Sequence, residues 1–291
     1  METTEPGGWR GRTHMRHSRR RAKVMLPIVC ILDAHLQQSQ RALSQVRCFG
    51  DDNPSGGANG LWTLPPGMIP SGRIAEQVAT TDYMSMILLD NGDVMCWGWQ
   101  FYCGADTQKG DTNRSWSGKV PLSGPATYIS GGTYHACGVV SGGALECWGD
   151  NHHGKVQPRA MAGWGGEIPV PSQSRPGNVT WGPGGTYVAT AVSAGYGHTC
   201  ALLQDKTITC WGRNHYWQLG FENGGVNSDF NAGTFPTNLP LLAIAVSVAE
   251  YSSCAQLSDL SIWCWGRQGL LGRSEVASSS STYLPRQVPL P

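Results

Sequence analysis

The chain has 291 residues, of which 40% are hydrophobic, 14% charged and 39 are glycine, a composition that disfavours a helical protein and suits a turn-rich one. Net charge is +1, but seven of the 21 basic residues lie within the first 23, and beyond them 14 basic residues face 18 acidic ones. A body with that balance lacks the basic face that nucleic acid needs, so no nucleic-acid partner is expected.

The basic run (Arg10, Arg12, Arg16, Arg19, Arg20, Arg21, Lys23) leads into nine apolar residues, Val24 to Leu32, that stop at Asp33. Nine residues are too few to span a bilayer, and their length is that of a signal-peptide core. Residues 1–40 are assigned to a basic, signal-peptide-like leader and 41–291 to a repeat array, and no membrane span is expected. A start at Met15 would give a leader of ordinary length. Two other readings compete: a basic tail running into an irregular first strand, and nuclear import through Arg19-Arg20-Arg21. Export is preferred, which places the protein outside the cell, with nucleus or cytoplasm as the alternative.

The body is organised by one string. Cys48-Phe-Gly, Cys96-Trp-Gly, Cys147-Trp-Gly, Cys210-Trp-Gly and Cys264-Trp-Gly recur at steps of 48, 51, 63 and 54 residues. Internal periods of this size mark repeat architectures. Three copies carry a second cysteine ten residues upstream, at Cys137, Cys200 and Cys254. The intervening residues, as in Cys200-Ala-Leu-Leu-Gln-Asp-Lys-Thr-Ile-Thr-Cys210, read as two short strands around a tight turn. Ten-residue spacing makes the hairpin symmetric about a three-residue loop, whose third position favours φ > 0 and therefore glycine. Gly92 and Gly143 occupy that position, while Lys206 and Leu260 depart from it. In this register the paired cysteines face each other at disulfide distance, so Cys137–Cys147, Cys200–Cys210 and Cys254–Cys264 are expected bridges. Free buried thiols are the weaker alternative, and a zinc knuckle does not fit cysteines at the two ends of one hairpin. Among the rest, Cys30 can pair with Cys48 if it is retained, and Cys96 with Cys103.

Between the strings lie glycine-, serine- and proline-rich connections, then a small-residue strand such as Val188-Ala-Thr-Ala-Val-Ser-Ala-Gly195. A proline recurs before that strand (Pro70, Pro121, Pro171, Pro236, Pro285). Modules of this length with three or four strands and no helical period read as propeller blades. Asn113-Arg-Ser and Asn178-Val-Thr are glycosylation sequons, both read as falling in long connections. They and the ten cysteines suit an oxidising compartment.

Residues Val192-Ser-Ala-Gly-Tyr-Gly-His-Thr-Cys-Ala-Leu-Leu and Cys210-Trp-Gly-Arg-Asn-His-Tyr-Trp-Gln-Leu-Gly220 resemble a repeat of the regulator-of-chromosome-condensation family. The likeness is strong over 188–220 and good over 128–156. It is fair over 244–272 and weak over 77–104, where Met84 stands in the histidine position. The resemblance implies an all-β propeller, normally of seven blades. Five modules are countable here, so the ring is smaller, incomplete, or completed by another chain. Leu284-Pro-Arg-Gln-Val-Pro289 reads as the start of a further blade that pairs beside the N-terminal module.

No Gly-x-Ser-x-Gly elbow, His-Glu-x-x-His helix or Gly-x4-Gly-Lys loop is present, and no catalytic residue, cofactor site or metal ligand is assigned. His135 and His198 recur at one place in their modules, which suggests a structural ring nitrogen bonded to a neighbouring backbone group. His152-His153, near Glu146 and Asp150, reads as a solvated turn before a weak metal site. Trp148, Trp211 and Trp265 recur and read as blade core. Trp62, Trp99, Trp116, Trp164 and Trp181 fall off that position, in or beside connections. Trp164, Trp181 and Trp116 are the candidate partner anchors. The resemblance covers secreted inhibitors, receptor-kinase ectodomains and a nuclear exchange factor. The reading preferred is a secreted or cell-surface, non-enzymatic protein whose loops hold a protein or glycan. A guanine-nucleotide exchange factor for a small GTPase is the alternative.

Overall fold

A computed structural model describes residues 29–32, 46–50, 60–64, 67–99, 102–104, 115–156, 173–179, 187–221, 239–267 and 282–289. They form five antiparallel sheets in chain order. The first holds β1 (Val29–Leu32), β2 (Val46–Gly50) and β3 (Gly60–Thr63); the second β4 (Ala75–Thr80), β5 (Met84–Leu89), β6 (Val94–Trp99) and β7 (Ser115–Lys119). The third holds β8 (Ala126–Gly131), β9 (His135–Val140), β10 (Leu145–Gly149) and β11 (Gln173–Asn178). The fourth holds β12 (Ala189–Ala194), β13 (His198–Leu203) and β14 (Ile208–Gly212), and the fifth β15 (Ala243–Val248), β16 (Ser252–Leu257), β17 (Ile262–Gly266) and β18 (Thr282–Val288). The sheets stand side by side through β1, β4, β8, β12 and β15, as blades do, and among the described residues nothing comparable joins β15 back to the first sheet.

The hairpins have the expected register. Cys137 faces Cys147, Cys200 faces Cys210 and Cys254 faces Cys264, with Cα atoms 4.0–4.1 Å apart and all three pairs bridged. The turn position takes φ near +81° at Gly92 and Gly143, and +69° and +68° at Lys206 and Leu260. The two non-glycine residues are thus held in the left-handed region by the hairpin around them, and the departure in sequence is not one in structure. Cys30 and Cys48 also face each other across β1 and β2. The last residues of the apolar run read as a signal-peptide core are therefore paired backbone of the first sheet.

The first strands of the second to fifth sheets are each bulged at their second residue, as between Ala189 and Ala191 against β13. The second strands of the second to fifth sheets are buried along their whole length or nearly so, as Met84–Leu89, His135–Val140 and His198–Leu203 are. Such strands sit between neighbouring sheets and have no solvent face, so their sequences run apolar without alternation.

The C-terminal segment departs from expectation. Leu284 to Pro289 does not begin a further blade; β18 pairs with β17 as the outer strand of the fifth sheet. Arg286 faces Cys264 as Gly118 faces Cys96, so Pro289 corresponds to Pro121 and Pro285 lies inside the strand. A proline is tolerated there because the strand is at a sheet edge. Asn178 likewise lies in the outer strand β11, exposed, and not in a connection. Trp62 and Trp116 belong to β3 and β7. Asn113, Trp164 and Trp181 lie outside the described residues.

Candidate functional site: a tyrosine face around the axis

The recurring tryptophans fix how sheets stack. Trp148, Trp211 and Trp265 are fully buried, and each packs among residues of the preceding module, so they fill joints between blades more than blades themselves. Their indole N–H groups donate to the carbonyls of Tyr102 (2.8 Å), Lys155 (2.9 Å) and Gln218 (2.9 Å), each in the loop after the preceding module's third strand. A buried tryptophan needs such an acceptor.

The repeated histidines belong to the same joints. His135 Nε2 meets the Thr199 hydroxyl at 2.8 Å, and His198 Nε2 meets the Ser253 hydroxyl at 2.8 Å. Those hydroxyls donate onward to the carbonyls of Lys155 and Gln218, both at 2.8 Å. Each hydroxyl has then spent its proton and accepts from the imidazole, which fixes the Nε2–H tautomer. The role is structural, as expected, but the partner is a side chain of the next module and not a backbone group. Both Nδ1 atoms are buried without a partner. Burial holds His135 well below the ordinary imidazole value and takes His198 down to about 3.

The turns that precede these histidine positions carry the feature sequence reasoning passed over. Ring centroids run Trp99–Tyr83 at 4.7 Å, Tyr83–Tyr134 at 5.2 Å, Tyr134–Tyr196 at 5.9 Å, Tyr196–Tyr251 at 6.1 Å and Tyr251–Tyr216 at 5.0 Å. Tyr102 packs on Tyr83 at 5.4 Å. These seven rings, all partly exposed, form a continuous belt across modules two to five. Arg213 lies 5.8 Å from the Tyr251 ring and Arg267 5.2 Å from that of Tyr216. Lys155 sits beneath, 2% exposed, with its ammonium 5.1 Å from the Tyr134 ring, 2.7 Å from Asp150 and 3.3 Å from the Tyr196 carbonyl. Burial lowers its pKa against the pull of Asp150.

Three of the phenols, Tyr102, Tyr134 and Tyr251, are held in the neutral form. A hydrogen bond with Tyr83, then burial, pushes Tyr134 up to about 12. A hydrogen bond to the Glu250 carboxylate, then burial, raises Tyr251. The belt is an amphipathic surface of rigid rings, the residue type that carries binding energy at protein interfaces. A visible signal existed: a tyrosine stands directly before the histidine position at Tyr83, Tyr134 and Tyr251, and one residue earlier at Tyr196.

The belt does not include the anchors read from sequence, apart from Trp99 beside them; of Trp116 only the backbone, paired with Gly98, is described. His152 and His153 lie in a 3₁₀ turn, His152–Gly154. Glu146 is turned away to accept from the Ser123 backbone at 3.2 Å, and Asp150 is paired with Lys155. Among the described residues no group of three or more His, Cys, Asp or Glu side chains is placed to hold a metal, and no helix is long and apolar enough to cross a membrane.

Fold and face together define a β-propeller of repeated modules built to bind or regulate. The profile of the regulator of chromosome condensation (RCC1) repeat matches residues 189–218. The matched module is thus an RCC1-type repeat, in a form whose hairpin carries a disulfide, as the hairpins of the modules on either side do. It is 23% identical over 215 residues to the guanine nucleotide exchange factor SRM1 of Saccharomyces cerevisiae, covering 70% of this chain and 42% of that protein. The crystal structure of human WBSCR16 superposes with a TM-score of 0.67 at 14% identity, over 84% of this chain and 61% of that one. Prp20p of Saccharomyces cerevisiae, solved in a study of its binding to Gsp1p and histones, gives 0.52 at 18% identity over 84% and 73%. These structural likenesses concern the fold. The chain spans less than half the length of the curated relative.

Proposed function

We propose that the protein is a secreted or cell-surface, non-enzymatic binding protein that holds a protein ligand on the tyrosine face. The observation that carries this reading is the unbroken belt from Trp99 to Tyr216, assembled from four modules and backed by the buried Lys155. Rings locked against one another lose little freedom on binding, so contact area converts efficiently into affinity. Four bridged cysteine pairs favour an oxidising compartment, and Asn178, in its sequon, is exposed.

The test probes a panel of extracellular proteins and glycans with the wild type and with Tyr134→Ala/Tyr196→Ala. Protein ligands whose binding falls about a hundredfold in the double variant support the reading, since two central aromatic anchors carry roughly 2–4 kcal/mol. Ligands that bind both proteins equally, or a response confined to glycans, overturn it.

Likeness to an exchange factor over 70% of the chain favours a second reading, regulation of a small GTPase. Acceleration of nucleotide release from Gsp1p or a related GTPase by reduced protein, with free thiols at Cys137, Cys200 and Cys254 in protein from its natural source, would replace the first reading with this one.

A further inference from the structure

At the centre of the belt the turns of four modules meet. Thr80–Asp82, Gly131–Thr133, Ala194–Tyr196 and Val248–Glu250 line a cavity of about 210 Å³. Its walls are backbone packed on backbone: a Cβ on Gly132 would stand 2.2 Å from the Gly195 carbonyl oxygen, and one on Gly195 2.4 Å from that of Ala249. The side chains that matter are therefore few. Tyr196 lines the cavity directly, and its ring packs against those of Tyr134 and Tyr251, each of which follows a lining residue in sequence.

The charges at this opening are of one sign. Asp82, between β4 and β5, and Glu250, between β15 and β16, are the charged residues of the lining, and among the described residues no ion pair reaches either. Arg213 and Arg267 lie against the Tyr251 and Tyr216 rings and do not line the cavity. Burial and the charge of Glu250 raise the pKa of Asp82, the mark of two carboxylates that share a site without a counter-ion. Ring faces and carboxylates attract the same thing, a cation, and an anion or a neutral apolar group gains nothing from either.

We propose that this axial cavity receives one cationic side chain, a lysine or arginine, projecting from the protein ligand held by the tyrosine face. The proposal rests on the binding reading above and adds the chemistry of the residue at the centre of the ligand's contact. The tyrosines supply contact area around the rim, and the carboxylates select for charge at the axis. A ligand with an acidic or apolar residue at that point leaves both carboxylates facing it uncompensated, which is how specificity arises without further contacts.

The experiment titrates protein labelled at its tyrosine rings with the Nα-acetyl methylamides of lysine, arginine and norleucine, followed by NMR. The expected result is movement of the Tyr196 and Tyr83 resonances with lysine or arginine but not norleucine, and binding about tenfold weaker in Asp82→Asn/Glu250→Gln. These isosteric changes keep the acceptor that Tyr251 uses, and an unchanged melting curve checks the fold. Equal shifts with norleucine, or undiminished lysine binding in the double variant, overturn the cavity proposal and leave the face reading standing. A Tyr134→Ala/Tyr196→Ala protein that keeps its ligands overturns the face reading, whatever the amides do.

Discussion

The joint between the second and third sheets and the two that follow it solve one problem in different materials. From the third sheet onward, a histidine, a hydroxyl and a carbonyl form a relay across each joint, through His135, Thr199 and Lys155 and then through His198, Ser253 and Gln218. At the earlier joint Met84 stands in the histidine position and Ala136 in the hydroxyl position, both buried, and the Met84 sulfur lies 3.8 Å from that of Cys96. The loops that supply the carbonyls differ in the same way. Asn151 and Asn214 hold theirs by accepting from the backbone N–H groups of Val156 (2.9 Å) and Leu219 (3.0 Å), whereas the loop after β6 is closed by the Cys96–Cys103 disulfide. What persists throughout is the tryptophan and its carbonyl acceptor. The module fixes that bond and leaves open what secures it, so joints of equal geometry are vulnerable to different agents, acid in one case and reductant in the other.

The largest effect tests what is shared. Trp148→Ala and Trp211→Ala should each lower stability by about 3–5 kcal/mol in urea unfolding, because both leave an indole-sized void and take a buried donor away from a loop carbonyl. Similar losses at the two joints support the tryptophan as the common element. A Trp148 loss below about a third of that for Trp211 would mean that the sulfur-lined joint is held by something else.

This division also explains what was legible in the sequence. Hairpin register, turn conformation and bridges were readable because each is settled within about ten residues by strand geometry. The joints were not: His135 and Thr199 are 64 residues apart, and their pairing depends on which modules become neighbours. The tyrosine belt fails for the same reason. Tyr83, Tyr134 and Tyr251 recur visibly, but only the ring arrangement turns recurrence along the chain into contact at one face. The C-terminal strand was misread because Pro285 imitates the proline that precedes each blade, and only pairing with β17 shows Pro289 to be the counterpart of Pro121.

Acid should divide the joints next. His135 and His198 are neutral in the folded protein and titrate at ordinary values when unfolded. Because their folded pKa values are lowered, their contribution is complete above the ordinary value near 6.5 and is lost as pH falls from there, toward about 3 for His198. Each should cost about 1.4 kcal/mol per pH unit across that window. His135→Met/Thr199→Ala rebuilds the middle joint in the image of the earlier one and should remove about half of that slope, read from urea midpoints between pH 7 and 4.5. An unaltered slope would place the acid sensitivity elsewhere than in the relays.

Loss of the short bridge gives the complementary result. Cys96→Ala/Cys103→Ala should cost about 2–3 kcal/mol. It should also free Trp99 and Tyr102, whose backbone N–H and carbonyl bonds sit inside the closed loop. Asn151→Ala removes one buried acceptor and should cost about 1–2 kcal/mol without disturbing the belt. Tryptophan fluorescence and ligand affinity separate the two: the cysteine variant should change both out of proportion to its stability, and the asparagine variant neither. Equal behaviour would show that the bridge does not position the aromatic face.

The smallest effect concerns the turns, where modules again use different residues for one conformation. Gly92 and Gly143 are not free to change, since a Cβ on them would stand 2.4 Å from Pro125 Cβ and 2.3 Å from a Val188 methyl in the next module. Leu260, 63% exposed at φ +68°, has little buried surface to lose with its side chain, yet bears the cost of a left-handed backbone. Leu260→Gly relieves that cost and adds freedom to the unfolded chain, so the net gain should be a few tenths to about 1 kcal/mol. Gly143→Ala should be destabilising by more than that, because strain and collision act together. Opposite signs at two equivalent turn positions, measured by thermal melts, would locate the constraint in the neighbouring module's approach. Two losses of similar size would locate it in the hairpin alone.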